Sequence, residues 1–381
     1  MLRRALGVLF FLVLSLLAYL SLAPVPIEPV AWNPPKDAGY VGMHTTNTRL
    51  TGLQLIPLGG EIGPEHVAVG PDGKLYTAVT GGKILRMNRD GSAREIWAET
   101  GGRVLGFAFD GRGRLIAADA MRGLLIIEPD AKRKITVLVD KVSIQGGDDP
   151  IRYADSVIVA KDGRIYFTDA SRRFRPSQWD GVFNAGVLDI FEHSATGRVL
   201  MHDPASSKTE VVMDGLAFAN GIALSADETS LFVAETGEYR IWKIAIEARA
   251  LNAKRIGPAD AAQAHVVVSN LPGYPDNLMR GMHGRIWVGL TKPRAIAADD
   301  LAGSPFMRKV VLRLPKALWP VPQAYGHVIA FNESGKIVVD MQDPSGQYPE
   351  TTGVTETEDR LYIQSQHAAS LGWVPKSVVR P

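Results

Sequence analysis

Beyond residue 50 the chain alternates apolar and polar positions with period two, and one phrase recurs. An alternating run leads into a polar turn built on Asp-Gly or a relative, and a second β-rich run follows. The instances are VAVGPDGKLYTA (67–78), FAFDGRGRLIAA (107–118), VIVAKDGRIYFT (157–168), IALSADETSLFV (222–233), LMRGMHGRIWVG (278–289) and TETEDRLYIQS (355–365). Each predicts two short strands joined by a tight turn, with positive φ expected at Gly73, Gly113, Gly163, Gly284 and Asp359. Other hairpins alternate with this set: GKILRMNRDG, GRVLMHDPASSKTEVV and GHVIAFNESGKIVV. Each unit therefore carries about two hairpins. Four-stranded units repeating roughly 40–75 residues apart predict propeller blades, and the six main turns predict six of them. A doubly wound α/β fold requires amphipathic helices between its strands, and these are scarce; one short stretch near Ile244–Leu251 is expected to be helical. The expected class is all-β, a six-bladed β-propeller.

The N-terminus follows another pattern. Arg3 and Arg4 precede 19 uncharged residues, Ala5 to Ala23. At ~1.5 Å per residue such a helix nearly spans a ~30 Å hydrocarbon core. The arginines would stay cytoplasmic and place the rest of the chain on the periplasmic or lumenal side of the membrane. The alternative is secretion after cleavage of a signal peptide, with Ser21 and Ala23 as the small residues of the site; Pro24, directly after it, would hinder cleavage. Pro24, Pro26, Pro29, Pro34 and Pro35 then predict a stiff, extended spacer. The expected organisation is an anchor (1–23), a Pro-rich linker (24–50) and the propeller (51–381).

Composition narrows the chemistry. With 42 basic and 40 acidic residues the net charge is +2, which gives no electrostatic case for nucleic acid. There are no cysteines, so disulfides, thiol catalysis and sulfur-ligated zinc are excluded.

Counting back seven residues from the turn residue of each main repeat gives Glu65, Arg103, Asp155, Asn220, Asp276 and Thr351. Equivalent positions of a propeller converge, and these lie where each innermost strand begins at the central channel. Four hard oxygen donors, Glu65, Asp155, Asn220 and Asp276, suit Ca2+, with other divalent ions able to substitute. Residues of this kind before a strand also serve simply as turn caps. Asn277 is a possible further ligand. Arg103 would balance the carboxylates or bind an anionic group, and His193 and His367 are candidates for the channel mouth. Tyr153, Trp179 and Phe183 are candidates for an apolar mouth. His66, His283 and His327 read as structural. Asp119, Asp169 and Glu235 recur just after the next strand and read as blade-to-blade hydrogen-bonding groups.

The strings GPEHVAVGPDGKLY, IYFTDAS, GRVLMHDP, DGLAFANGIALS, LFVAET and LPGYPDNL, in order over roughly residues 55–375, resemble the strictosidine synthase-like branch of the calcium-dependent phosphotriesterase superfamily. That group includes gluconolactonases, regucalcin-type proteins, paraoxonases and the adipocyte plasma membrane-associated protein, whose short cytoplasmic tail and N-terminal anchor are similar to the layout here. The resemblance implies a channel calcium on positions matching Glu65, Asp155, Asn220 and Asp276, with Asp155 standing where relatives carry Asn. It implies hydrolysis of a small-molecule ester or lactone, with Asp276 as general base. Two departures matter. The stretch PETTGVTETEDRLYI lacks a clearly registered match to the acid–base glutamate of strictosidine synthase, with Glu350 only nearby, so amine–aldehyde condensation is not expected. Leu105 stands about where paraoxonases carry a histidine. The rival expectation is a non-catalytic, calcium-stabilised propeller acting as a binding or scaffold ectodomain.

Overall fold

The computed structural model describes residues 2–379; residue 1 of the expected anchor and residues 380–381 of the expected propeller lie outside them. Among the described residues six sheets form the propeller, each with four antiparallel strands, and blade 3 carries a short fifth strand at its edge. Their innermost strands are His66–Val69, Val104–Phe109, Ala154–Val159, Ala219–Leu224, Gly273–Arg280 and Thr351–Glu356, in blades 1 to 6. Gly73, Gly113, Gly163 and Gly284 take φ of 75°, 75°, 90° and 76° in the turns that follow. Asp359 does not enter the left-handed region. There the Thr357 hydroxyl accepts the Arg360 N–H at 3.1 Å and closes the turn without a left-handed residue.

The blades stack because their middle strands are apolar on both faces. In Leu115–Asp119 every residue is buried. Leu115 and Ala117 face blade 1, whereas Ile116 and Ala118 face blade 3. Period-two alternation thus feeds two cores at once, which explains runs that read as almost continuously hydrophobic. Six such inter-blade cores run around the ring. The ring is closed by the strand Gln54–Pro57, which pairs antiparallel with Ser370–Pro375 as the outermost strand of blade 6.

Two further expectations need correction. Ile244–Leu251 is not helical: Arg240–Ala245 is a strand pairing Leu231 with Ile244, and Leu251–Asn252 joins the edge of blade 3 in parallel. Strand pairing on both sides overrides local propensity there. Helices occur elsewhere. Helix α1 is Leu2–Leu22, α2 is Val182–Glu192, α3 is Ile296–Asp300 and α4 is Pro305–Leu312. Residues 24–50 are not a free spacer. Val30 N–H donates to Glu192 O, Trp32 stacks on His193 at 3.9 Å, Arg294 donates to Pro35 O, and Leu50 N–H donates to Gln342 O. Extended proline-rich backbone has unpaired carbonyls, and buried arginines collect them. Residues 24–50 therefore form a strap along the propeller surface.

Helix α1 is apolar, long enough to cross a bilayer and exposed along its length. Its C-terminal carbonyls are not free: Arg313 donates to Leu20 O at 2.8 Å and to Ala23 O at 2.6 Å.

Candidate functional site

Each inner strand starts on the same face of the propeller, and five of the six are bulged there. The register slips between Val104 and Gly106, Ala154 and Val157, Ala219 and Ile222, Pro275 and Leu278, and Thr351 and Gly353. A bulge bends the strand and re-aims one side chain. Here it lies next to Asp155, Asn220 and Asp276. Gly221 is what lets two of these positions approach: a Cβ there would lie 2.2 Å from Leu278 N and 2.3 Å from Asp276 O.

The loops that present these residues are tied down by the recurring carboxylates of the second strands. Asp119 Oδ1 accepts the Arg103 N–H (3.1 Å), Asp169 Oδ1 the Tyr153 N–H (2.8 Å) and Glu235 Oε1 the Ala217 N–H (2.8 Å). All three are buried. They act as structural groups, but rather than bonding blade to blade each ties the loop before its own blade's inner strand to nearby side chains such as Thr100, Arg198 and Trp242.

Glu65, Asp155, Asn220 and Asp276 line one cavity of about 140 Å³. Its remaining walls are mainly apolar. The stripe Val182, Phe183, Gly186, Val187 and Ile190 of α2 covers it, because these positions share one helix face. Both α2 and the segment 294–325, which holds α3 and α4, connect the second and third strands of their blades. They therefore rise over the face on which the inner strands begin. Tyr153, Phe218, Tyr274, Leu312 and Trp319 complete the walls. Sequence reasoning reached Tyr153 and Phe183 but missed the two helical roofs. The apolar face of α2 was the available signal. Trp179 lies outside this cavity, packed on Phe174.

The electrostatics of the floor are lopsided. Glu65, Asp155 and Asp276 are buried. Burial, together with the field of Glu65, pushes Asp155 well above the usual carboxylate range. Burial and repulsion from Glu65 and Asp155 do the same for Asp276. Burial lifts Glu65 to about 7 although Arg103 pulls it down. Three carboxylates sharing a dry floor cannot all ionise without a compensating cation. Arg103 supplies part of it, at 3.4 Å from Glu65 Oε2. Among the described residues the buried Asn220 Oδ1 has no hydrogen-bond partner, which is a second sign that a cation belongs beside it. Hard oxygens, an unpaired amide carbonyl oxygen and excess negative charge fit a calcium-like ion.

The other expected channel residues, Arg103, Asn277, His193 and His367, do not line the cavity wall, though Arg103 balances Glu65 as expected. Asn277 Nδ2 donates to Glu65 O at 3.0 Å, and Thr352 Oγ1 donates to the same oxygen at 2.9 Å, so both hold the Glu65 backbone in place. His193 ends α2 in the left-handed conformation and bonds Glu238. Burial holds His66 at about 4, packed on Phe107. His367 sits on the rim, bonded to Glu350. Glu350 itself lines the cavity, one residue before the inner strand of blade 6, and pairs with Lys292 at 2.7 Å. It holds φ of 51°, a strained value for a non-glycine residue. Burial opposes its ionisation, but His367 and Lys292 outweigh burial and keep it below the usual range.

Residues 42–87 match the strictosidine synthase-like N-terminal region, and residues 67–315 match the SMP-30/gluconolactonase/LRE-like region. The chain is 32% identical to protein strictosidine synthase-like 10 of Arabidopsis thaliana, covering 84% of this chain and 87% of that protein. It is 30% identical to the adipocyte plasma membrane-associated protein of Salmo salar, covering 93% and 85%. Among solved structures it superposes on a gluconolactonase of Xanthomonas campestris with a TM-score of 0.56 at 21% identity, covering 93% of this chain and 99% of the other. The calcium-binding protein regucalcin of Agrobacterium tumefaciens superposes at 0.51 with 12% identity, covering 84% and 94%. At these identities the solved structures speak for the propeller fold alone.

Proposed function

The chain belongs to the SMP-30/gluconolactonase/LRE-like family, in its strictosidine synthase-like branch, and from that premise we propose that it is a divalent-cation-dependent hydrolase of esters or lactones, anchored in a membrane by α1. The observation that carries this reading is the meeting of four hard-oxygen donors at the base of an apolar-walled cavity large enough for part of a small organic substrate. Glu65, Asp155, Asn220 and Asp276 would hold the ion, which supplies Lewis acidity toward a carbonyl oxygen.

The remaining work falls to the chain itself. The α2 stripe and the 294–325 segment hold the apolar part of the substrate and exclude bulk water, so charges on the floor act at low dielectric. Asp276 would accept the proton of the attacking water at a carboxylate oxygen once the ion has drawn this buried carboxyl back to its ionised form. Arg103 favours the charged form of Glu65 and orients it. Asp276 would pass the proton taken from water to the departing alkoxide, whereas Glu350, held ionised by Lys292 and His367, has no proton to give and fixes the rim.

The test uses the full chain in detergent. Aryl-ester and lactone hydrolysis is followed with calcium and then with chelator, for the parent and for Asp276→Ala and Glu65→Ala. Turnover that requires the ion and disappears in both variants supports the hydrolase. No turnover on any ester or lactone, with calcium still raising the parent's Tm, overturns it and leaves an ion-stabilised binding propeller.

A further inference from the structure

Away from the channel, the strap and blade 5 bring together two imidazoles and a carboxylate. His44 lies in a short 3-10 turn of the strap, Gly42–His44. His327 begins the third strand of blade 5, Gly326–Asn332, and Asp340 lies in the fourth, Ile337–Asp343. His44 Nδ1 is 2.8 Å and His327 Nε2 2.9 Å from the same oxygen, Asp340 Oδ2. All three donor atoms lie within 4.8 Å of one another. Asp340 Oδ1 is occupied separately, by Gln342 Nε2 at 2.6 Å and Asn47 Nδ2 at 3.1 Å. One carboxylate oxygen is thus oriented by amides while the other is left to the histidines. That division is how outer-shell groups orient metal ligands.

Beside the cluster, His327 Nδ1 and the Tyr40 hydroxyl are buried without partners among the described residues, so the hydrogen bonds that would fix the His327 ring are incomplete. The His44 side chain remains 18% exposed, which leaves an entry path and a position for water. Two imidazole nitrogens and one carboxylate are not a calcium set. They suit borderline divalent ions, for which bonds of ~2.0–2.2 Å set donor–donor edges of about 3.3 Å. Relative to Asp340 Oδ2, each ring has to draw back by only about 0.5 Å to reach that spacing.

We propose that His44, His327 and Asp340 form a second metal site, for zinc or a similar borderline divalent ion, that clips the strap to blade 5. The consequence follows from topology. His44 stands ten residues before the ring-closing strand Gln54–Pro57, and its two partners are almost 300 residues away in sequence. An ion held there cross-links the strap, which precedes the ring-closing strand, to blade 5, a constraint that acts on a very long loop.

The experiment uses full-length protein carrying Glu65→Gln and Asp276→Asn, stripped with chelator, so that the channel takes no ion. Cobalt is titrated and read by its visible absorption. Zinc and calcium are then added as competitors, and protease cleavage within residues 36–50 is timed. One equivalent of cobalt is expected to give the spectrum of a low-coordinate nitrogen–oxygen site. Zinc displaces it, calcium does not, and cleavage slows when metal is bound. His44→Gln, which can still donate a hydrogen bond to Asp340, and His327→Gln should each weaken cobalt binding by about tenfold or more. If the double-substituted background does not fold, the same titration is run on the parent chain with excess calcium. No cobalt spectrum in the parent sequence, or one undiminished in both histidine variants, overturns the proposal and leaves a clip made of hydrogen bonds alone.

Discussion

Asp189 gives the sharpest test of how the cavity roof is held. It lies on the face of α2 turned away from the cavity and is fully buried. The Ser171 hydroxyl donates to Oδ1 at 2.5 Å, and Oδ2 has no partner. Burial pushes the carboxyl up to about 7, against an ordinary value of 3.8. Because the folded-state value is raised, Asp189 contributes no penalty below about pH 4, where it is protonated in both states. Between pH 4 and 7 the unfolded chain ionises while the native one does not. Stability then falls by about 1.4 kcal/mol per pH unit, toward an upper bound of ~4 kcal/mol. Asp189→Asn removes the charge and keeps the shape. It places an amide N–H where Oδ2 now lacks a partner, which costs about 1–3 kcal/mol. The variant should therefore be more stable than the parent by ~1–3 kcal/mol at pH 8, with the advantage gone or reversed at pH 4. Urea unfolding followed by tryptophan fluorescence at several pH values measures the difference. Other titrating groups cancel between the two proteins. A variant no more stable at pH 8, or an offset that does not vary with pH, would refute the claim that this carboxylate is buried without compensation. The proposed ester or lactone turnover should also hold to higher pH in the variant, since α2 keeps its packing.

Three further outcomes follow from specific contacts. Gly221→Ala forces a methyl against the Asp276 and Leu278 backbone, so it should destabilise by ~3 kcal/mol or more and abolish the calcium-dependent rise in Tm, read by thermal unfolding with and without the ion. Glu356 joins blade 5 to the last turn of the chain: Trp287 Nε1 donates at 2.8 Å, Lys376 pairs at 3.1 Å, and Arg285 adds an ion pair. Burial opposes its charge, but these partners bring it down to about 2. The stabilisation is therefore present above about pH 4.5 and lost as pH falls toward 2. Glu356→Gln should cost ~3 kcal/mol at pH 7 and nothing near pH 2, and a constant difference would overturn the sign. Arg313→Ala frees the carbonyls at the end of α1, so protease cleavage near residues 20–25 should accelerate several-fold in detergent while propeller unfolding stays unchanged.

The sequence by itself determined whatever depends on neighbours a few residues apart. Period-two alternation and Asp-Gly turns announced the strands, the glycine conformations and six repeats. An uncharged run behind two arginines announced α1. Because equivalent residues of a repeat occupy equivalent places, register alone picked out Glu65, Asp155, Asn220 and Asp276, which the structure places around one cavity. What depends on contacts across hundreds of residues had no local trace. Nothing near Gln54–Pro57 says that it completes blade 6 beside Ser370–Pro375. Nothing in the prolines of 24–50 says that arginines 294 and 308 will gather their carbonyls. The stretch before Thr351 looked out of register, and only a left-handed Glu350 turned its side chain onto the cavity wall. His44 read as part of a spacer, and only the folding of the strap across blade 5 set it beside His327 and Asp340. Local pattern sets which segments become strands; ring closure decides which of their side chains meet, because it alone brings residues so far apart in the chain within bonding distance.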